Sequence, residues 1–174
     1  MQRVLVIGCA GSGKSTLARR LAAERGLPLI DLDRHYWRPG WVATPKHDWL
    51  ARVAELSAGP RWVMDGNYGS SLHIRLPRAD TVLWLDYPRL RCLRRALART
   101  LKRYGRQRDG GPEGCPERLN MEFLRYIWGF PERHRPKLVA ALEEFGSHAR
   151  LFTLKTDRDA ERLLAKLRTD HAQI

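Results

Sequence analysis

Long apolar runs are missing from this chain, and no stretch approaches the length needed to cross a bilayer. A membrane-spanning protein is therefore not expected. Cysteine is scarce: Cys9, Cys92 and Cys115 are widely separated and odd in number. That pattern does not suit a disulfide-framed secreted domain, and it has no zinc-ligand spacing. The apolar run starting at Val4 leaves no room for a signal peptide ahead of it, so a reducing cytoplasm is the expected setting. Repeats and low-complexity segments are also absent, and a length of 174 residues suits one domain over 1–174. Acid is in short supply too, with 19 Asp and Glu against 32 Lys and Arg, a net charge of +13. Such an imbalance predicts anionic partners, among which nucleic acid, a membrane surface and a nucleotide all qualify. The imbalance is local. From Arg89 to Arg108 there are nine basic residues and no acidic one.

What is present begins with Gly8-Cys9-Ala10-Gly11-Ser12-Gly13-Lys14-Ser15, a Gly-x-x-x-x-Gly-Lys-Ser loop. The apolar run Val4–Ile7 before it reads as a buried parallel strand, and Lys14–Glu24 after it reads as a helix with Leu17, Ala18 and Leu21 on one face. A nucleoside triphosphate crowds several anionic oxygens together, and a loop that binds it must wrap backbone N–H groups around them. Glycines permit that approach, and the following helix aims its positive dipole end at the phosphates. Gly8, Ala10, Gly11, Ser12, Gly13, Lys14, Ser15 and Thr16 are thus the candidate nucleotide cradle. Lys14 is expected to reach the β- and γ-phosphates, and the Ser15 hydroxyl to ligate Mg²⁺. ATP and Mg²⁺ are the expected cofactors.

A second strand over Leu27–Leu32 is expected to end in Asp31-Leu32-Asp33, at the sheet edge where ligands collect in α/β folds. For Asp31, capping a turn and serving the site are equally open. Asp33 is the candidate acceptor-site carboxylate. His35 reads as a structural hydrogen-bonding residue, while the loop through Tyr36, Trp37, Arg38 and Trp41 either stacks a planar substrate or plugs the core edge. Thr44-Pro45 should cap a helix running to about Ser57. A third strand, Arg61–Met64, leads into Asp65-Gly66-Asn67-Tyr68, with Asp65 the second Mg²⁺ candidate and Asn67 and Arg75 candidates for the substrate.

Thr81–Leu85 is the fourth strand, followed by a helix on which Arg91, Arg95 and Arg99 share one face. Leu90, Leu93, Leu97 and Leu101 are expected on its buried side. Like charges at that spacing repel, and a bound polyanion would relieve them. Gly105–Pro116 reads as a mobile loop, Glu117–Trp128 and Lys137–Phe145 as helices, Arg150–Leu154 as the fifth strand, and Thr156–Asp159 as a capping box opening the last helix.

This order of elements resembles the adenylate kinase-like branch of phosphate-loop kinases. Leu32-Asp33-x-x-Tyr36-Trp37-x-Pro39-Gly40-Trp41, Trp62–Tyr68 and Gly114-Cys115-Pro116-Glu117-Arg118 are similar to the bacterial DNA topology modulation proteins. The resemblance implies a three-layer α/β P-loop NTPase fold, with a five-stranded parallel sheet in the order 2-3-1-4-5, helices on both faces, and an arginine-rich lid over about residues 99–130. It also implies that Arg95, Arg99 and Arg108 reach the triphosphate when the lid closes, with Lys14 and Asp33 completing the catalytic set. Nucleoside monophosphate kinases place an arginine for the acceptor phosphate where this chain has Gly69, and Arg75 is the candidate to replace it. The Asp31-x-Asp33 pair instead resembles kinases with a hydroxyl acceptor, such as shikimate kinase. The expected partners are a nucleoside triphosphate and a small acceptor, in a monomer or homodimer. A nucleic-acid-associated regulator of DNA topology, and an ATPase-like scaffold without transfer activity, stay open as rivals.

Overall fold

The computed structural model describes residues 1–108 and 110–171; Asp109, inside the expected lid, and residues 172–174 lie outside the described residues. Five parallel strands form the central sheet: β1 (Arg3–Gly8), β2 (Leu29–Asp31), β3 (Trp62–Asp65), β4 (Thr81–Leu85) and β5 (Arg150–Leu154), in the order β2-β3-β1-β4-β5. That is the order expected. Strand β1 lies centrally, with Val4 paired to Val63 on one side and Thr81 on the other. Both faces of β1 are apolar because both are covered, as period-two alternation in a parallel sheet requires. Val4 and Val6 join one core with Leu17, Ala18 and Leu21 of α1 (Lys14–Arg25) and with Leu163, Leu164 and Leu167 of the C-terminal helix. Leu5 and Ile7 join the other, with Trp49 and Val53 of α3 (Lys46–Ala58) and with Leu138 and Leu142 further along the chain.

Several boundaries differ from expectation for local reasons. Strand β2 stops at Asp31 because the Asp31 carboxylate accepts the Asp33 N–H at 3.0 Å, which caps the short helix α2 (Leu32–Tyr36). The aromatic loop is a hairpin, Trp37–Arg38 antiparallel to Val42–Ala43. Thr44 does not cap α3: its hydroxyl donates to the Tyr36 carbonyl at 2.6 Å, leaving Pro45 at the N-cap. After the one-turn α4 (Leu72–Arg75) and β4 comes the arginine-rich α5 (Arg89–Lys102). Its buried stripe is Cys92, Ala96 and Thr100, whereas Leu90 and Leu101 are 60% and 70% exposed. The cause is close packing. A Cβ at Gly11 would lie 2.2 Å from the Cys92 carbonyl oxygen, so α5 touches the glycine-rich loop backbone to backbone, and only small side chains fit that seam.

Past α5, the chain doubles back on itself: Gly105 N–H donates to the Glu117 carbonyl and Glu117 N–H to the Arg106 carbonyl, both at 2.9 Å. The Trp41 indole N–H donates to the Pro116 carbonyl at 2.8 Å, and Gly40 N–H to that of Gly114 at 2.8 Å. These bonds hold the expected lid segment down on the hairpin. The next helix, α6 (Met121–Trp128), starts later than expected because the Asn120 side chain caps it through the Glu122 and Phe123 N–H groups. Pro131 and Pro136 fall in the first turns of α7 (Phe130–Arg133) and α8 (Arg135–Phe145), where a missing N–H costs nothing. The last helix, α9 (Asp157–His171), opens on the expected box, with Asp159 N–H donating to Thr156 Oγ1 at 3.2 Å and Thr156 N–H to Asp159 Oδ2 at 2.8 Å. No helix among the described residues is long and apolar enough to cross a membrane.

Candidate active site

The carboxyl ends of β1, β2 and β3 open into a cleft of 1270 Å³. The loop after β1 forms its floor. Gly8 has φ +148°, and a Cβ there would meet the Leu85 carbonyl oxygen at 2.6 Å, so β4 dictates glycine at the loop entrance. Asn67 fixes the same residue: its side chain accepts the Gly8 N–H at 2.8 Å and donates to the Gly8 carbonyl at 2.6 Å. With both amide groups engaged, Asn67 lines the cleft chiefly as a brace for the loop, although it was expected to meet substrate.

Ala10 to Thr16 line the cleft, with Lys14 and Ser15 beneath the end of β3. Burial pushes the Asp65 carboxyl above its ordinary value, while Lys14 and a hydrogen bond from Ser15 pull it back. Its Oδ1 is buried with no hydrogen-bond partner. An orphaned carboxylate oxygen beside a serine hydroxyl is a hard-oxygen pair that fits Mg²⁺, which binds through few protein ligands and keeps its waters. Among the described residues, no group of three His, Cys, Asp or Glu forms a cage for any other metal.

The arginines arrive from the opposite wall. Arg95, Arg99 and Arg108 line the same cleft as Lys14 and Asp33. Arg95 donates to the Ser12 carbonyl at 3.4 Å and pairs with Asp157 at 2.6 Å. Asp157 also holds Arg91, and these bonds, Arg95's first, keep its carboxyl below the ordinary value. Arg99 faces Glu117 at 3.3 Å, and burial lowers its pKa. Arg108 reaches across the cleft to Asp33 Oδ2 at 3.4 Å, while the Tyr68 hydroxyl donates to Asp33 Oδ1 at 2.6 Å. The segment after α5 and the loop after β3 thus meet at Asp33.

Of the residues expected to meet substrate, Asp33, Trp37, Trp41 and Asn67 line the cleft, whereas Tyr36, Arg38 and Arg75 do not. The Tyr36 ring is packed edge-on against Trp37 and Trp49 at 4.9 and 5.0 Å between centroids, so it plugs the core edge. Arg38 points outward to Asp48 at 3.7 Å. Arg75 corrects the sequence reading most sharply. It is fully buried, donating to the carbonyls of Gly66 (2.9 Å), Asn67 and Tyr68 (3.2 Å), and desolvation lowers its pKa to about 9. An arginine sealed under the backbone cannot reach an acceptor phosphate.

Sequence reading missed Tyr68, Glu117 and Asp157 as site residues. Asp157 was legible in principle, since an order with the fifth strand beside the fourth puts the start of the last helix next to the arginine helix. Asp31 lies opposite Asp65 in the β2–β3 pairing, and burial, followed by Asp33 and Asp65, raises its carboxyl to about 6.

No family model and no curated protein matches this chain. Among solved structures, it is similar to the shikimate kinase from Acinetobacter baumannii in complex with shikimate, with 21% identity, a TM-score of 0.59, and coverage of 98% of this chain and 94% of that one. It is also similar to a gluconokinase from Sinorhizobium meliloti (17% identity, TM-score 0.54, covering 98% and 95%). A sugar kinase from Janibacter matches at 22% identity and TM-score 0.53, covering 97% and 93%. At these identities the likeness concerns architecture. The fold is that of the phosphate-loop kinases.

Proposed function

We propose that the protein is an ATP- and Mg²⁺-dependent phosphotransferase that moves the γ-phosphoryl group to a hydroxyl of a small acceptor. The observation that carries this reading is the convergence of Lys14, Asp33, Arg95, Arg99 and Arg108 on one cleft. Lys14 and the loop amides bind the phosphates. Ser15 and Asp65 would hold Mg²⁺, which would supply charge neutralisation at the phosphates. Asp33 takes the proton as the acceptor oxygen bonds to the γ-phosphorus and the bond to the bridging β–γ oxygen breaks. Arg95, Arg99 and Arg108 oppose the charge that spreads over the equatorial oxygens, an effect of about 10³–10⁵ in rate where one arginine does it fully.

A hydroxyl acceptor is favoured over a phosphate because the cleft offers a carboxylate at Asp33, while Arg75 is sealed inside. The neighbours named for shikimate, gluconate and sugar phosphorylation agree with that choice. A thermal-shift screen of polyols, hydroxy acids, nucleosides and nucleoside monophosphates, with a non-hydrolysable ATP analogue present, tests it. A hydroxyl compound should add stability beyond the analogue by mass action. Stabilisation by monophosphates alone would contradict the reading.

The rival, an ATP-switched DNA-binding regulator, is favoured by the exposed Arg94, Lys102 and Arg106 and by the motif similarity to DNA topology modulation proteins. Against it, Arg95 and Arg99 line the cleft beside the phosphate loop, and Arg91 is paired with Asp157 within the fold. Sequence-selective duplex binding that persists at moderate salt would favour the rival; binding that collapses with salt is incidental electrostatics.

A further inference from the structure

Tyr68 is held in a conformation that its residue type disfavours. Its backbone lies in the left-handed region at φ 37° and ψ 67°, which costs a non-glycine residue about 1–2 kcal/mol. The surroundings impose it. The Tyr68 carbonyl accepts from Arg75 at 3.2 Å, and from the Ser71 N–H and hydroxyl at 2.9 Å each. Its ring is wedged between Tyr36 and Trp49, with centroids at 4.7 and 4.8 Å. Phenylalanine would fill that wedge equally well. The hydroxyl is therefore the part that packing leaves unexplained, and its single proton goes to Asp33 Oδ1 at 2.6 Å.

Asp33 needs such a brace. It sits in the first turn of the five-residue α2, tied there through its own N–H to Asp31. Its other side-chain contact, Arg108 at 3.4 Å, comes from the segment after α5 that rests on the hairpin. The Tyr68 contact comes from the β3 side, whose loop is anchored by the buried Arg75, and does not depend on the lid. A phenol donor occupies Oδ1 and leaves Oδ2, which faces Arg108 at 3.4 Å, with lone pairs that can still accept. Burial and the Asp33 charge push the Tyr68 pKa up, so the hydroxyl stays a donor throughout the working pH range.

We propose that Tyr68 is the positioning residue for the reaction: its hydroxyl holds Asp33 so that Oδ2 faces the acceptor hydroxyl. This rests on the reading of Asp33 as the group that meets the acceptor. Arg75 serves the same end one step further back, by fixing the strained backbone from which Tyr68 reaches out.

The test uses water as the acceptor, so no natural acceptor is required. Release of phosphate from [γ-³²P]ATP is followed in single turnover, enzyme in excess, for wild type, Lys14→Ala, Tyr68→Phe, Asp33→Asn and the Tyr68→Phe/Asp33→Asn double variant. Analogue affinity and melting temperature are measured alongside. Tyr68→Phe keeps the ring packing and should lower the rate by about 10–10²-fold, the scale of a displaced catalytic group, with nucleotide affinity unchanged. The double variant should be no slower than Asp33→Asn, because a brace has nothing left to position. A wild-type rate for Tyr68→Phe, or a double variant slower by the product of the single effects, would overturn the assignment. The functional reading fails differently: wild type would then release phosphate no faster than Lys14→Ala, and the inference would fall with it.

Discussion

Replacing Asp31 by asparagine should stabilise this protein, and by an amount that depends on pH in a defined direction. Asp31 ends β2 opposite Asp65, and burial, then Asp33, then Asp65 raise its carboxyl from 3.8 to about 6. The folded state therefore holds this proton more tightly than the unfolded chain does. Between about pH 4 and 6 the native state binds more protons, so stability falls as pH rises through that window, and above 6 the penalty is fully present. Moving a carboxyl from 3.8 to about 6 is worth at most about 3 kcal/mol. Asparagine retains the oxygen that accepts the Asp33 N–H and removes the charge. In EDTA at pH 8 the substitution should thus stabilise by up to about 3 kcal/mol, or about 6–12 °C in melting temperature for a chain of this size. The gain should shrink through pH 6 to 4 and be absent below. Urea unfolding of both proteins across that range is the assay. Loss of stability at pH 8, or a gain that is the same at pH 4.5 and pH 8, would refute the reasoning.

Three further outcomes follow from the geometry. Gly11→Ala places a Cβ 2.2 Å from the Cys92 carbonyl at φ +81°, and should lower stability by about 3 kcal/mol or more in a melting experiment; a shift below one degree would show that α5 does not abut the loop. Arg75→Lys offers one ammonium to three carbonyls spread over Gly66 to Tyr68, and should cost about 2–4 kcal/mol in urea unfolding, where an unchanged midpoint would remove the brace from the account. Asp33→Asn should slow transfer to a hydroxyl acceptor found by the screen by about 10²–10⁴-fold, with analogue affinity unaltered in calorimetry; an undiminished rate would show that Asp33 does not take the acceptor's proton.

The elements that sequence reading located best are those whose physics is local. The apolar run Val4–Ile7, the glycine spacing and Lys14 announce a strand, a phosphate cradle and a helix within a few residues of one another. The capping box at Thr156 is equally local. The hairpin at Trp37–Ala43 escaped because two-residue strands are too short to show alternation. The buried side of α5 was read only in part, Leu93 packing on the core while Leu90 and Leu101 are exposed, because leucine periodicity outweighs small residues in any hydrophobicity pattern. The seam against Gly11 instead selects Cys92 and Ala96 by size. Arg75 was taken for a substrate ligand because nothing in a sequence distinguishes an arginine serving buried carbonyls from one facing a cleft. The Tyr68–Asp33 and Arg95–Asp157 contacts join residues 35 and 62 positions apart, brought together only by the sheet.

The proposed function requires the loop at Gly8–Ser15 to hold a triphosphate beneath the arginine-bearing segment. Calorimetric titration of a non-hydrolysable ATP analogue with Mg²⁺ into wild type and Lys14→Ala tests it directly. Wild type should bind saturably and the variant should lose about 10²-fold or more in affinity, the scale of a lost charge-assisted phosphate contact. Equal affinity in the two proteins would contradict it.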